Sequence, residues 1–80
     1  MKAQEAVIGR IEMICRERHI SINRLAYITG VSPSTIKNIM YENSRNTGIV
    51  TIAKLCNGLN LSIPEFFCHL IFYGLDPEME

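Results

Sequence analysis

Apolar residues recur along this chain at helical spacing, in five blocks separated by short polar or glycine-containing breaks. In the first block Val7, Ile8, Ile11, Ile14 and Cys15 follow an i, i+3, i+4, i+7 rhythm, with Glu5, Arg10, Glu12, Arg16 and Glu17 on the other faces. This predicts a helix over residues 3–18 that ends at His19-Ile20. Gly9 weakens its interior by up to about 1 kcal/mol relative to alanine. A second helix is predicted over 22–29, with Ser21 as N-cap and Leu25, Ala26 and Ile28 on one face. Gly30 stands where a helix closes through a residue tolerant of positive φ, and Ser32-Pro33 restarts the chain as cap and first helical residue. The third helix, 33–41, turns Ile36 and Ile39 inward, with Met40 extending that face. Ser34, Thr35, Lys37, Asn38 and Tyr41 are left outward, and the small Ala26 lets this helix cross the second closely. Residues 21–41 therefore read as a helix-turn-helix.

The polar segment 42–47 reads as a surface loop. Asn46 or Thr47 is then placed to cap a fourth helix over about 48–59, with Ile49, Ile52, Leu55 and Cys56 buried and Leu59 closing it. Gly58 and Asn60 weaken that helix and mark its end. Ser62-Ile63-Pro64-Glu65 is a capping box with proline in the first turn. It opens a fifth helix predicted over 63–72, whose apolar side is Phe66, Phe67, Leu70 and Ile71. Gly74 and Asp76-Pro77 break it and leave a mobile tail. The expected fold is all-α, a compact five-helix bundle forming one domain over residues 1–80.

Composition narrows the function. The chain is 48% hydrophobic, ample for a small core. Its longest apolar run, Phe66 to Tyr73, is too short to cross a membrane and contains His69. The N-terminus has no signal-peptide core, so a cytoplasmic protein is expected. Cys15, Cys56 and Cys68 lack CxxC spacing and lie within apolar patterns, which predicts buried structural thiols with no metal or cofactor. No nucleophile, acid and histidine stand in catalytic relation, and there is no phosphate-binding glycine loop, so an enzyme is not expected. The formal net charge is zero, but all eight Lys/Arg precede Leu61 with four of the eight carboxylates. That half is +4 and the remainder −4, a polarity that allows the basic half to meet phosphate.

Leu25-Ala26, Gly30-Val31-Ser32, Thr35-Ile36 and Ile39 resemble the Cro/lambda-repressor-type (xenobiotic-response-element-type) helix-turn-helix DNA-binding domain family. The likeness continues through Ser44-Arg45-Asn46, Thr51 to Leu55, Leu59 to Ser62 and Glu65-Phe66-Phe67, covering about residues 7–67. It implies a bundle of the lambda-repressor-like type whose third helix lies in the major groove of double-stranded DNA. Ser32, Pro33, Ser34, Thr35 and Asn38 would then be the base-contacting residues. Asn38 is the sharpest candidate because a carboxamide pairs bidentately with adenine N6/N7. The resemblance assigns phosphate contacts to Asn23, Arg24, Lys37, Asn43, Ser44 and Arg45.

The chain departs from the family at several points. Ile22 replaces a phosphate-binding glutamine, and Thr47 replaces a loop proline. Cys15 and Met40 stand where relatives pair arginine with glutamate, a joint apolar replacement that leaves no unpaired buried charge.

The fifth helix holds more apolar surface than a short helix buries. Phe66, Leu70, Ile71, Phe72 and Tyr73 are expected at a two-fold homodimer interface. A small homodimeric repressor is the leading reading. The alternatives are an antitoxin or prophage regulator that holds a protein partner at its C-terminal helix, or a protein-interaction module that has lost DNA binding.

Overall fold

The computed structural model describes residues 1–41 and 46–77. Its helices are α1 (Ala3–Arg18), α2 (Ile22–Thr29), α3 (Pro33–Tyr41), α4 (Ile49–Gly58) and α5 (Ile63–Phe67), followed by a 3-10 turn over Leu70–Phe72. They enclose one core in which Ile11, Leu25, Ile36, Leu55, Leu59 and Phe66 are almost wholly excluded from solvent. The all-α architecture agrees with the expected fold class, as do the limits of the first three helices.

Local chemistry accounts for those limits. At the start of α1 the Glu5 carboxylate accepts from the Lys2 backbone N–H at 2.8 Å. Its end is closed by His19 in the left-handed region at φ 54°, with the Ile20 N–H reaching the Cys15 carbonyl at 2.9 Å. Ser21 caps α2, its hydroxyl accepting from the Arg24 N–H at 3.1 Å.

Two arginines of α1 hold the other helices by their carbonyl ends. Arg10 donates through Nε to the Phe66 carbonyl at 2.7 Å and through a terminal nitrogen to the Glu65 carbonyl at 3.1 Å. Arg18 donates to the Leu59 carbonyl just past α4. Each cation thus meets carbonyls at the C-terminal end of a helix, where the dipole favours positive charge.

The fifth helix is shorter than the sequence pattern predicts, ending at Phe67 rather than at residue 72. Arg10 takes up carbonyls of Glu65 and Phe66 that further helix would have bonded. The chain bends at Cys68 and His69, and His69 Nδ1 accepts from the Ile71 N–H at 3.0 Å to start the 3-10 turn. The bend brings Phe72 onto Phe66 and Phe67, with ring centroids 6.2 and 4.9 Å away. A straight helix would carry position 72 to another face. Ile71 meanwhile lies against α1 where Gly9 has no side chain: a Cβ there would be 2.6 Å from Ile71 Cδ1. Gly9 therefore admits the turn as well as weakening α1.

Other expectations also need correction. Gly48 is the N-cap of α4, not Asn46 or Thr47. The Thr47 N–H donates to the Gln4 side-chain carbonyl at 3.0 Å, and the Gln4 amide donates to the Thr47 hydroxyl at 2.7 Å. That pairing satisfies a buried threonine and fastens the start of α4 to α1. Ile49 sits in the first turn of α4 and is 61% exposed, so it lies outside the core. Cys56 is buried and Cys15 half-buried, and burial pushes both thiols above their ordinary value. Cys68, by contrast, is exposed at the bend. Asp76 and Pro77, expected in a mobile tail, are tied to the N-terminus. The terminal ammonium meets Asp76 Oδ2 at 2.9 Å, and Lys2 Nζ donates to the Pro77 carbonyl at 2.9 Å.

Gly58 marks the closest approach of two backbones. A Cβ there would stand 2.5 Å from both the Ile28 carbonyl oxygen and Thr29 Cα. Gly58→Ala should destabilise the protein by about 1–3 kcal/mol, because overpacking against backbone outweighs a helix-propensity gain of at most about 1 kcal/mol. Urea unfolding measures this, and an unchanged midpoint would show that α2 and α4 can separate without loss.

Two carboxylates should contribute to acid stability. Glu65 is held below its ordinary value by bonds from the Ser62 backbone and hydroxyl, and Asp76 by hydrogen bonding to and attraction from the terminal ammonium. Their contribution is complete above the unfolded carboxylate range and is lost as pH falls through the lowered folded values. Thermal melts across the acid range should therefore show a weaker pH slope for the Glu65→Gln, Asp76→Asn double variant than for the parent.

Candidate nucleic-acid interface

The turn between α2 and α3 is built by three consecutive residues with separate tasks. Thr29 donates its hydroxyl to the Leu25 carbonyl at 2.7 Å and accepts the Val31 N–H at 3.3 Å, bridging the end of α2 to the turn. Gly30 takes φ 72°, where a Cβ would be strained, and its N–H closes on the Ala26 carbonyl at 3.0 Å. Val31 is buried and anchors the turn to the core. Ser32 then caps α3, accepting the Thr35 N–H at 3.2 Å.

Helical geometry separates α3 into two sides. Ile36 and Ile39 are buried, 2% and 5% exposed, and attach the helix to the core. Ser34, Lys37, Asn38 and Tyr41 fall at i, i+3, i+4, i+7 on the opposite side and are all exposed. Ser32, Pro33 and Thr35 are exposed at the helix start. All five residues expected to meet bases are therefore accessible.

Three hydroxyls are linked there. Ser32 Oγ lies 2.8 Å from Thr35 Oγ1 and 3.3 Å from Ser34 Oγ. The Ser32 hydroxyl is thus engaged by the fold, while Ser34 keeps more freedom to bond outward.

Of the residues expected at phosphates, Asn23 and Arg24 are exposed on α2 and Lys37 is exposed on α3. Asn43, Ser44 and Arg45 lie outside the described residues. Ile22, standing where the family has glutamine, is half-buried and packs against the core. From Arg18 to Tyr41 the sequence contains no carboxylate, whereas Arg24 and Lys37 lie within α2 and α3. The helix-turn-helix is therefore locally cationic although the whole chain is neutral.

Tyr27 escaped the sequence reading. It is 80% exposed on α2, and the Arg24 guanidinium lies 5.4 Å from its ring centroid. The i, i+3 spacing of arginine and tyrosine was the available signal.

The C-terminal residues divide. Phe66 is wholly buried within the protomer, so it is a core residue and cannot meet a second copy. Leu70 and Tyr73 are 77% and 75% exposed, while Ile71 and Phe72 are half-buried. Among the described residues no helix is long and apolar enough to cross a membrane.

The model of the Cro/C1-type HTH DNA-binding domain family matches residues 10–69, which contain the helix-turn-helix, α4 and α5. No curated protein and no solved structure matches the chain.

The division of labour among the hydroxyls can be measured. Ser32→Ala should lower stability by about 1 kcal/mol through loss of the cap, whereas Ser34→Ala should leave it within about 0.5 kcal/mol. Chemical denaturation of both variants checks this, and equal losses would contradict the assigned roles.

Proposed function

We propose a function from one established premise: the chain belongs to the Cro/C1-type helix-turn-helix DNA-binding domain family. It acts as a sequence-specific transcriptional regulator of double-stranded DNA, a small homodimeric repressor that reads the major groove with α3. The observation that carries this reading is the exposed stripe Ser34, Lys37, Asn38 and Tyr41, presented by a segment without carboxylates and anchored behind by Ile36 and Ile39.

Each residue has a proposed role. Asn38 pairs through its carboxamide with adenine, Ser34 and Thr35 offer hydroxyls to base edges, and Pro33 supplies shape. Ser32 holds the helix start and touches a base edge beside it. Asn23, Arg24 and Lys37 meet phosphates, joined by Asn43, Ser44 and Arg45. Such contacts fix register without reading sequence.

For the dimer, Leu70, Ile71, Phe72 and Tyr73 form the proposed two-fold surface. Exposure of Leu70 and Tyr73 at the 3-10 turn supports it. A two-fold axis there would set two α3 helices on successive major grooves, about 34 Å apart. The same exposed pair also suits a different protein partner, which is the form an antitoxin or prophage regulator would take. A defined two-fold dimer by analytical ultracentrifugation favours the first arrangement, and a stable monomer favours the second.

In vitro selection of bound duplex tests the function directly, and binding no tighter than to random DNA would overturn it. On a selected site, Asn38→Ala should cost about 1–3 kcal/mol and relax preference at one base pair. Lys37→Ala should weaken all duplexes alike and reduce the salt slope by about one. Fluorescence anisotropy across a salt series measures both, and interchangeable effects would contradict the base and phosphate assignments.

A further inference from the structure

Beside the start of α3 lies a shallow, mostly apolar concavity that includes Asn23, Tyr27, Gly30, Val31 and Pro33 in its lining. Tyr27 is 80% exposed, so little of the protein covers its ring. Arg24 bends along α2 to place its guanidinium 5.4 Å from that ring's centroid. Stacking restricts an otherwise free side chain and holds its charge beside Tyr27, which lines the concavity. No acidic residue between Arg18 and Tyr41 competes for it. Neither Arg24 nor Tyr27 is part of the core, so packing does not explain the arrangement.

We propose that this concavity seats one sugar-phosphate unit of the DNA strand beside the bases facing α3. The C–H face of the deoxyribose rests on Tyr27 and Pro33, while its phosphate meets Arg24 and the Asn23 amide. The chemistry favours this occupant. A nucleotide backbone unit joins an apolar ring face to an anion, and the concavity joins an apolar lining to a tethered cation. A base would require several donors and acceptors aimed at its edge, as the α3 stripe provides. Tyr27 apart, the polar side chains of this lining are Asn23 and Ser32, and the Ser32 hydroxyl is already engaged with Thr35. Pro33 belongs to both the concavity and the proposed reading surface, so one continuous ligand spans them. Tyr27 is thus both a contact and the positioning residue for Arg24. The inference rests on the DNA-reading role proposed above.

Anisotropy titrations of selected and random duplexes over a salt series test it, using the parent, Tyr27→Phe, Tyr27→Ala, Arg24→Ala and the Arg24→Ala, Tyr27→Ala double variant. Thermal melts should match the parent, since both side chains are exposed. Tyr27→Ala should weaken both duplexes by about three- to tenfold and flatten the salt slope nearly as much as Arg24→Ala, by about one. Tyr27→Phe keeps the ring and should bind like the parent. The double variant should be little weaker than either single one.

An unchanged salt slope in Tyr27→Ala, or fully additive losses in the double variant, would overturn the proposal. So would a Tyr27→Phe loss as large as that of Tyr27→Ala, which would place the effect in the hydroxyl. A parent protein that binds no duplex would remove the DNA-reading role and this inference together. A parent that binds normally while Tyr27→Ala does too would sink this inference alone.

Discussion

The backbone contact between the end of α4 and the end of α2 is the constraint on which the rest of the architecture depends. Gly58 lies so near Ile28 and Thr29 that even a methyl group would meet backbone atoms at 2.5 Å. Side chains on long helices can adjust to a poor fit, but two backbones in contact cannot. Thr29 is also the residue whose hydroxyl joins Leu25 to Val31, immediately before Gly30 reverses the chain. Fixing Thr29 therefore fixes the turn, and the turn sets where α3 starts. With Ile36 and Ile39 drawing one side of α3 into the core, its other side has no choice but to face outward.

The arginines show how a neutral protein can present a cationic surface. Arg10 and Arg18 are engaged with carbonyls at the ends of α5 and α4. They serve the interior geometry, so a bare count of basic residues overstates the charge free to meet phosphate. The absence of carboxylates from Arg18 to Tyr41 acts in the opposite direction. Local arrangement, more than the overall balance, decides the field near α3, because screening at physiological salt limits exposed charges to about 8 Å.

Legibility followed the range of the interactions responsible. The first three helices could be delimited from sequence because their ends are set within a few residues: Glu5 on Lys2, Ser21 on Arg24, Ser32 on Thr35 and Gly30 at its positive φ. His19 in the left-handed region was less legible, since glycine is the usual signal there. The fifth helix misled because its stop comes from Arg10, 56 residues away, and from Phe72 returning to its own aromatic cluster. Gln4 and Thr47, 43 residues apart, are likewise invisible to local rules. The surface of α3 was largely readable because helical period alone opposes Ser34 and Asn38 to Ile36 and Ile39. The Arg24–Tyr27 pairing is less legible, because i, i+3 spacing on a helix permits such a contact without requiring it.

Bending the chain after Phe67 also changes what the C-terminal residues can do. A continuous helix would have offered Phe66 and Leu70 along one stripe, four residues apart. The observed bend separates them: Phe66 closes the core while Leu70 and Tyr73 are turned outward. The core is thereby completed within the protomer, so a second copy is not needed to bury Phe66. Any assembly through this end must then rest on a smaller apolar area, so the fraction assembled would depend on protein concentration. Under the proposed assignment few cations face phosphate, and sequence-independent attraction to DNA is correspondingly weak. On the proposed reading, pairing of two α3 surfaces supplies the affinity that one surface lacks, and occupancy of a site then tracks the amount of protein present.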